Sequence, residues 1–398
     1  MGEEKSYVVV TVSGEDKPGI TGAFTHILLD HGVEVLDIDQ ASLQDFLALT
    51  FLFALNGDTE KNSVLKDLLF EANRRGMNLN FQVLSERELR RKKEKNLFVL
   101  TFFGDTRALA EIAHTLGDAR ANIEKISNRS RVDANVIELI INVREVQSRS
   151  RLKERLMQVS AELGVDLALQ KLESYRKGKR LIFFDMDQTL VDTEVIDELA
   201  REAGVFDQVS RVTEKAMRGE LDFEESLHQR VALLKGLTRE QLDHIRDNIP
   251  ISEGADRLIK TLRRLGYRMG VVSGGFRFFA DHLVERLGLD FAYANQLELK
   301  DGVVTGRVKG DVIDGAAKAR VVHDVASEMN IQLDQTVAIG DGLNDSLMLG
   351  QAGLGIAYNA KEGLDRAAGV RLAKTRLINI LYILGVTEDD IAAADAES

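Results

Sequence analysis

Three short apolar runs, each breaking off into acids or glycines, set the tightest limit on how this chain folds. LIFFDMD (from Leu181), YRMGVVSGG (from Tyr267) and TVAIGDGLND (from Thr336) share one form: β-rich apolar residues first, then Asp, Ser and Gly. Helical patterns separate them, and strands alternating with helices imply a parallel, doubly wound α/β sheet of the Rossmann type. Ligands of such sheets bind at the carboxyl ends of the strands. The polar residues that end the three runs are therefore expected to converge on one site. Between Glu194 and Pro250 there is no strand run, and this stretch is expected to be a helical cap insertion, about residues 196–250, within a domain spanning residues 178–386.

Upstream, a different order occurs twice. Residues 6–84 read as a strand (YVVVTVSG, ended by a Gly turn) and a helix (ITGAFTHILLDHG, stopping at Gly32). Two strands, a second helix and the closing strand MNLNFQVL follow. Residues 96–173 repeat this order, from LFVLTFFG to VDLALQKL. A repeat of about 90 residues with βαββαβ order predicts two ferredoxin-like domains.

Composition narrows the function classes. The chain has 398 residues and no Cys, which excludes disulfides, thiolate metal sites and a cysteine nucleophile and suits a reducing compartment. A net charge of −12 argues against nucleic acid as a partner. The basic stretch at residues 87–95 (RELRRKKEK) reads as a solvated helix end or linker. MGEEKSYVVVTV has no basic segment leading into an apolar one, and no apolar run approaches a membrane span. The expectation is a cytoplasmic protein without a membrane partner.

Four polar clusters carry the chemistry. Asp185 and Asp187 stand two residues apart at a strand end, where one carboxylate can act as nucleophile and the other as general acid and base. Ser273-Gly274-Gly275 joins a hydroxyl to two glycines that let backbone N–H groups approach an anion. Lys318, on a helical stretch, is a point charge suited to phosphate. Gly340-Asp341-Gly342-Leu343-Asn344-Asp345 supplies hard oxygen ligands suited to Mg²⁺. Each cluster alone has a plainer reading: a surface turn, a loop, a solvated lysine, an Asx-capped turn. Their shared place after apolar runs of one sheet pattern favours a site.

Taken in order, DMDQT, SGG, Lys318 and GDGLND resemble the haloacid dehalogenase superfamily of phosphatases, over about residues 179–385. The resemblance implies Asp185 as nucleophile and Asp187 as the acid and base. It implies Mg²⁺ held by Asp185, the backbone carbonyl of Asp187, and Asp341. Ser273, Gly274, Asn344 and Lys318 would bind the phosphorylated substrate, and Asp345 would orient Lys318 or a metal-bound water.

Within that superfamily the chain resembles the phosphoserine phosphatases. Glu194 stands nine residues after Asp185, SLHQRVALLKG supplies Arg230, and Met217 and Phe223 match cap residues. Glu194 suits an α-ammonium and Arg230 an α-carboxylate, which implies L-phosphoserine as substrate at the last step of serine synthesis. Otherwise Arg230 would be a surface ion pair with Glu224 or Glu225. Gln188 departs from the family, which usually has Ser there. The two N-terminal units resemble ACT domains, most closely at GEDKPGITGAFTHILLDHGVEVLDIDQ. That resemblance implies an L-serine effector near Asp16, Gly19 and Gly32, and a homodimer. The second unit lacks Pro-Gly at its turn and is expected to be structural. Two rival readings remain: another small phosphomonoesterase of the superfamily, or an amino-acid-binding regulatory protein.

Overall fold

The computed structural model describes residues 5–93, 95–130, 135–172, 178–360, 364, 368–373 and 376–396. The chain divides into two compact units, Met1–Lys95 and Asn96–Ser398.

The first unit runs β1 (Lys5–Glu15), α1 (Ile20–Asp30), β2 (Val35–Leu43), β3 (Phe46–Asn56), α2 (Gly57–Arg74), β4 (Asn78–Leu84) and α3 (Glu86–Lys93). Its antiparallel sheet has the order β2-β3-β1-β4, the ferredoxin-like arrangement. Val8, Val10 and Val12 alternate along β1 and bury against Phe51 and Phe53 of β3 and Phe24, Leu28 and Leu68 of the helices. The expected turn at Gly14 is not there: β1 continues to Glu15. A Cβ at Gly14 would stand 3.2 Å from Met77 Cγ, so this glycine serves close packing rather than reversal. The basic stretch forms the end of α3, where exposed Arg90 pairs with Glu86 at 2.6 Å; Glu94 lies outside the described residues.

The second unit begins with β5 (Leu97–Phe103), α4 (Thr106–Asp118), β6 (Asn122–Asn128), β7 (Val136–Asn142), α5 (Arg149–Leu163) and β8 (Leu167–Lys171). Then come β9 (Leu181–Phe184), α6 (Val195–Glu202), α7 (Phe206–Met217), α8 (Phe223–Leu233), α9 (Arg239–Asn248), α10 (Ala255–Arg264) and β10 (Arg268–Phe276). It continues with α11 (Arg277–Leu287), β11 (Phe291–Lys300), β12 (Val303–Lys309), α12 (Gly315–Glu328), β13 (Thr336–Gly340) and α13 (Ser346–Gln351). It ends with β14 (Leu354–Tyr358), β15 (Val370–Leu372), α14 (Ile380–Ile383) and α15 (Glu388–Ala396).

The three apolar runs are neighbouring parallel strands, with β9 between β10 and β13 and Phe184 level with both Val271 and Ile339. Side chains alternate between two cores. Ile182, Phe184, Val271 and Ile339 enter one, and Leu181, Phe183, Val272 and Ala338 the other. The chain leaves β9 for β10 on one side and later returns to β13 on the other. The carboxyl ends of these strands therefore flank a topological switch point.

Two features go beyond the sequence expectation. First, the second βαββαβ repeat is not a separate body. Its edge strand β8 pairs antiparallel with β15, making one 11-stranded sheet of order β12-β11-β10-β9-β13-β14-β15-β8-β5-β7-β6. Phe103, Val136 and Ala168 join the doubly wound core, and the Phe103 ring meets Tyr382 edge-on at 6.4 Å between centroids. An open edge at β15 is thereby covered. Second, β11 and β12 form a hairpin whose turn residues Asp301 and Gly302 have φ of 52° and 77°. The hairpin anchors the helical insertion: Gly236 N–H donates to the Val304 carbonyl (3.0 Å) and Arg239 N–H to the Gly302 carbonyl (2.7 Å).

Candidate active site

Asp185 follows the last residue of β9, and its N–H still donates to the Ile339 carbonyl of β13 (2.8 Å). The sheet thus fixes this backbone while the side chain leaves the ladder, only 3% exposed. The chain then turns tightly, with the N–H groups of Leu190 and Val191 both directed to the Met186 carbonyl (2.9 and 3.1 Å). The turn brings Asp187 to the start of α6, where its Oδ1 accepts the Val195 N–H at 2.8 Å. Gln188 takes φ of 54° in this turn and does not line the cleft described below.

The Ser273-Gly274-Gly275 segment forms a bulge in the pairing of β10 with β11. Pairing of β10 with β11 holds at Val272–Tyr293, breaks, and resumes at Phe276–Asn295. Ser273 is fully buried, and its Oγ accepts the Gly275 N–H (2.9 Å). Both glycines are closely packed against neighbouring side chains. A Cβ on Gly275 would lie 2.5 Å from Met186 Cε and 2.8 Å from Asp187 Oδ2, and one on Gly274 2.9 Å from Phe223 Cζ.

Lys318 lies in the first turn of α12, whose N-cap Asp314 accepts the Ala317 N–H at 2.7 Å. It is 1% exposed, far from a solvated charge. Its Nζ donates to Asp185 Oδ1 (2.8 Å) and Asp345 Oδ1 (2.7 Å). Burial alone would lower the Lys318 ammonium, but the two carboxylates raise it and keep it charged. Burial, together with the charge of Asp185, pushes Asp345 up to about 7 despite Lys318. Burial pushes Asp187 well above the ordinary carboxylate range, reinforced by Glu194 and Asp185. Asp187 is therefore a carboxyl that its surroundings bias toward the protonated form.

Asp185, Asp341 and Asp345 are all buried and offer oxygens within 4.8 Å of one another. Lys318 bonds two of these carboxylates and cannot neutralise three. A carboxylate-only set of this kind fits a hard divalent cation such as Mg²⁺. The side chain of Asp187 is not part of this cluster.

The helical insertion supplies the other wall. Phe223, Leu227 and Arg230 occur at helical spacing on α8, so one face of the helix presents all three. Neither alternative ion pair of Arg230 forms: Glu224 faces His228 at 3.7 Å, and Glu225 closes a capping box with Asp222. Arg230 instead stands in the cleft, with its Nε donating to the Ser226 carbonyl (3.3 Å). Burial lowers its pKa, and Glu194, Asp197 and Asp187 act against that, so the guanidinium remains a cation.

These residues form a small solvent-open cleft, lined by Asp185, Asp187, Glu194, Phe223, Arg230, Ser273, Gly274, Asp341 and Asn344. Lys318 and Asp345 lie buried behind Asp185. Met217 is the sequence-chosen residue that the structure leaves aside, 74% exposed and off the cleft wall. Ile196, Leu227 and Phe276 also line it and were not singled out by sequence. The signal for Leu227 was its place between Phe223 and Arg230 on one helix face.

In the first unit, Asp16 and Gly19 line a shallow open cleft together with Gln40, Gln44 and Asp45. Gly32 follows α1 with φ of 66° and does not line it.

A family model of the haloacid dehalogenase-like hydrolases matches residues 179–353, and ACT-domain models match residues 6–82 and 98–170. The phosphoserine phosphatase of Mycobacterium tuberculosis is 41% identical over 395 residues, covering 98% of this chain and 96% of that one. That of Streptomyces coelicolor is 39% identical over 398 residues, covering 98% and 94%. Among solved structures, a probable phosphoserine phosphatase from Vibrio cholerae has a TM-score of 0.58 at 30% identity, covering 76% of this chain and 89% of its own. A haloacid dehalogenase family hydrolase from Salmonella enterica serovar Typhi has a TM-score of 0.64 at 26% identity, covering 72% and 98%.

Proposed function

We propose, from the premise that this chain belongs to the phosphoserine phosphatases among the haloacid dehalogenase-like hydrolases, that it hydrolyses O-phospho-L-serine to L-serine and phosphate. The observation that carries the substrate is the presence of Glu194 and Arg230 in the same cleft as Asp185 and Ser273. One anion and one cation match the ammonium and carboxylate of an amino acid, while Ser273 and the Gly274 backbone face the phosphoryl group.

In the first step Asp185 attacks phosphorus, a phospho-aspartate forms, and the bond from phosphorus to the serine oxygen breaks. Asp187 gives its proton to that leaving oxygen. In the second step Asp187 takes a proton from water, whose oxygen attacks phosphorus, releasing phosphate and restoring Asp185. Lys318 and Ser273 offset negative charge as it accumulates on the phosphoryl oxygens. Mg²⁺ held by Asp185, Asp341 and the Asp187 carbonyl would add further charge compensation, with Asp345 beside it. The raised pKa of Asp187 supports its role as the proton donor.

The ACT matches support an amino-acid effector for the first unit, and the cleft at Asp16 and Gly19 is where L-serine would bind.

Phosphate release from a panel of phosphomonoesters, with Mg²⁺ and with chelator, tests the reading. Turnover of phosphoserine that chelator abolishes, and that Asp185→Asn eliminates, is expected. Equal turnover of sugar phosphates would refute the substrate, and activity retained in Asp185→Asn would refute the nucleophile.

A further inference from the structure

Ser273-Gly274-Gly275 has left the β10–β11 ladder, so its backbone groups need partners from elsewhere. For Gly274 the partner is a side chain. Asn295, in β11 beside the break, is 1% exposed. Its Nδ2 donates to the Gly274 carbonyl at 2.8 Å, and its Oδ1 accepts the Ile313 N–H, also at 2.8 Å. The partners set the orientation of the amide: a carbonyl must face the NH₂ group and an N–H must face the oxygen. Ile313 immediately precedes Asp314, the N-cap of the helix that carries Lys318. One buried amide thus ties the loop facing the phosphoryl group to the leader of the helix that delivers the cation. The two segments also lie close, since a Cβ on Gly274 would stand 3.7 Å from the Ile313 carbonyl oxygen.

We propose that Asn295 is a positioning residue for phosphoryl transfer: it fixes the Ser273–Gly275 cradle against the Lys318 helix without touching substrate. This rests on the phosphatase reading above. An apolar side chain of similar size would leave the Gly274 carbonyl and the Ile313 N–H buried without these partners, and both segments would shift to find others. A misplacement near 1 Å costs roughly a hundredfold in rate.

The test compares the full-length parent with Asn295→Leu and Asn295→Ser, at saturating Mg²⁺ and well below each variant's thermal midpoint. Turnover of phosphoserine is measured, together with binding of orthovanadate, a mimic of pentacoordinate phosphorus, and of L-serine. The expected result is a loss in kcat of about 10- to 100-fold for Asn295→Leu, a smaller loss for Asn295→Ser, and a parallel weakening of orthovanadate. L-serine at the catalytic cleft, read as competitive inhibition of turnover and held by Glu194 and Arg230, should bind as in the parent. A lowered thermal midpoint with parental kcat and orthovanadate affinity would make Asn295 merely structural and overturn the proposal. So would equal weakening of L-serine, or insolubility of both variants. If the parent binds orthovanadate but does not turn over phosphoserine, the substrate reading fails, and the orthovanadate difference still decides the role of Asn295.

Discussion

Replacing Arg230 with alanine separates recognition of the substrate's carboxylate from the chemistry at phosphorus. The side chain is on α8, on the same helix face as Phe223 and Leu227, and leaves the Asp185–Lys318–Asp345 cluster untouched. A hydrogen bond to a charged group contributes about 1.5–3 kcal/mol. At about 1.4 kcal/mol per decade this is a loss of about 10- to 150-fold in kcat/KM for phosphoserine. O-phosphoethanolamine carries the same ammonium and phosphate but no carboxylate. Its kcat/KM should fall far less, because Glu194 remains to hold the ammonium. The assay is phosphate release from both esters by parent and Arg230→Ala at saturating Mg²⁺. The ratio of the two losses cancels any general damage to the fold or metal site. Arg230→Lys should fall between, since a lysine supplies charge without the paired donors. If both esters lose activity by the same factor in Arg230→Ala, Arg230 does not read the carboxylate and the substrate assignment loses its support.

Three further outcomes can be checked directly. Gly275→Ala places a methyl against Met186 Cε and Asp187 Oδ2, at 2.5 and 2.8 Å before relaxation; Met186 can yield, but Asp187 cannot move without straining its bond from Val195. Its kcat should fall by roughly 100-fold with little change in KM, and parental kcat would show that Asp187 need not be held there. Asp345, raised to about 7 from an ordinary 3.8, favours the metal-free fold fully below 3.8, and this contribution is lost as pH rises to about 7. Cation binding should oppose protonation, so Mg²⁺ affinity by calorimetry should rise steeply up to about pH 7 and then level off; affinity flat across that range would contradict the coupling. Ala168→Asp buries a charge between β5 and β15 and should destabilise the second unit by at least about 3 kcal/mol, lowering the temperature at which phosphatase activity is lost. An unchanged thermal profile would mean the junction contributes nothing to the catalytic fold.

The parallel core was legible because burial on both faces leaves a continuous apolar run, and LIFF, MGVV and TVAI are such runs. The convergence of Asp185, Ser273 and Asp341 followed from strand polarity alone, since each ends one of three adjacent parallel strands. The β11–β12 hairpin was also written in the sequence, as Asp301-Gly302 between QLELK and VVTGRV, a two-residue turn flanked by alternating side chains. Its two strands are half-exposed and give no continuous apolar run, the feature that marks the strands of a doubly wound sheet. Asn295 had no local signal: an isolated amide in a strand gains meaning only where a neighbouring ladder breaks. Met217, which the resemblance implies as a cap residue of the site, is exposed here and lies off the cleft wall.

The two βαββαβ repeats carry the same internal order and end in different structural situations. The first keeps its sheet to itself, β2-β3-β1-β4, and its core is closed by its own helices. The second uses the same β8-β5-β7-β6 order but pairs the outer edge of β8 with β15 and packs Phe103 against Tyr382. What distinguishes them lies partly outside the repeats. The short β15 and the segment Ile380–Ile383 offer an apolar edge that β8 covers, and Asp166 and Gln170 complete the junction through Ala373 N–H (2.7 Å) and the Ile383 carbonyl (3.0 Å). Neither of these two polar residues stands out alone, and no repeat-level pattern marks them. From β15 the ladder passes through β14 to β13, whose end delivers Asp341 to the cleft. The second repeat is thus built into the frame that positions the acidic cluster, whereas the first forms a sheet of its own.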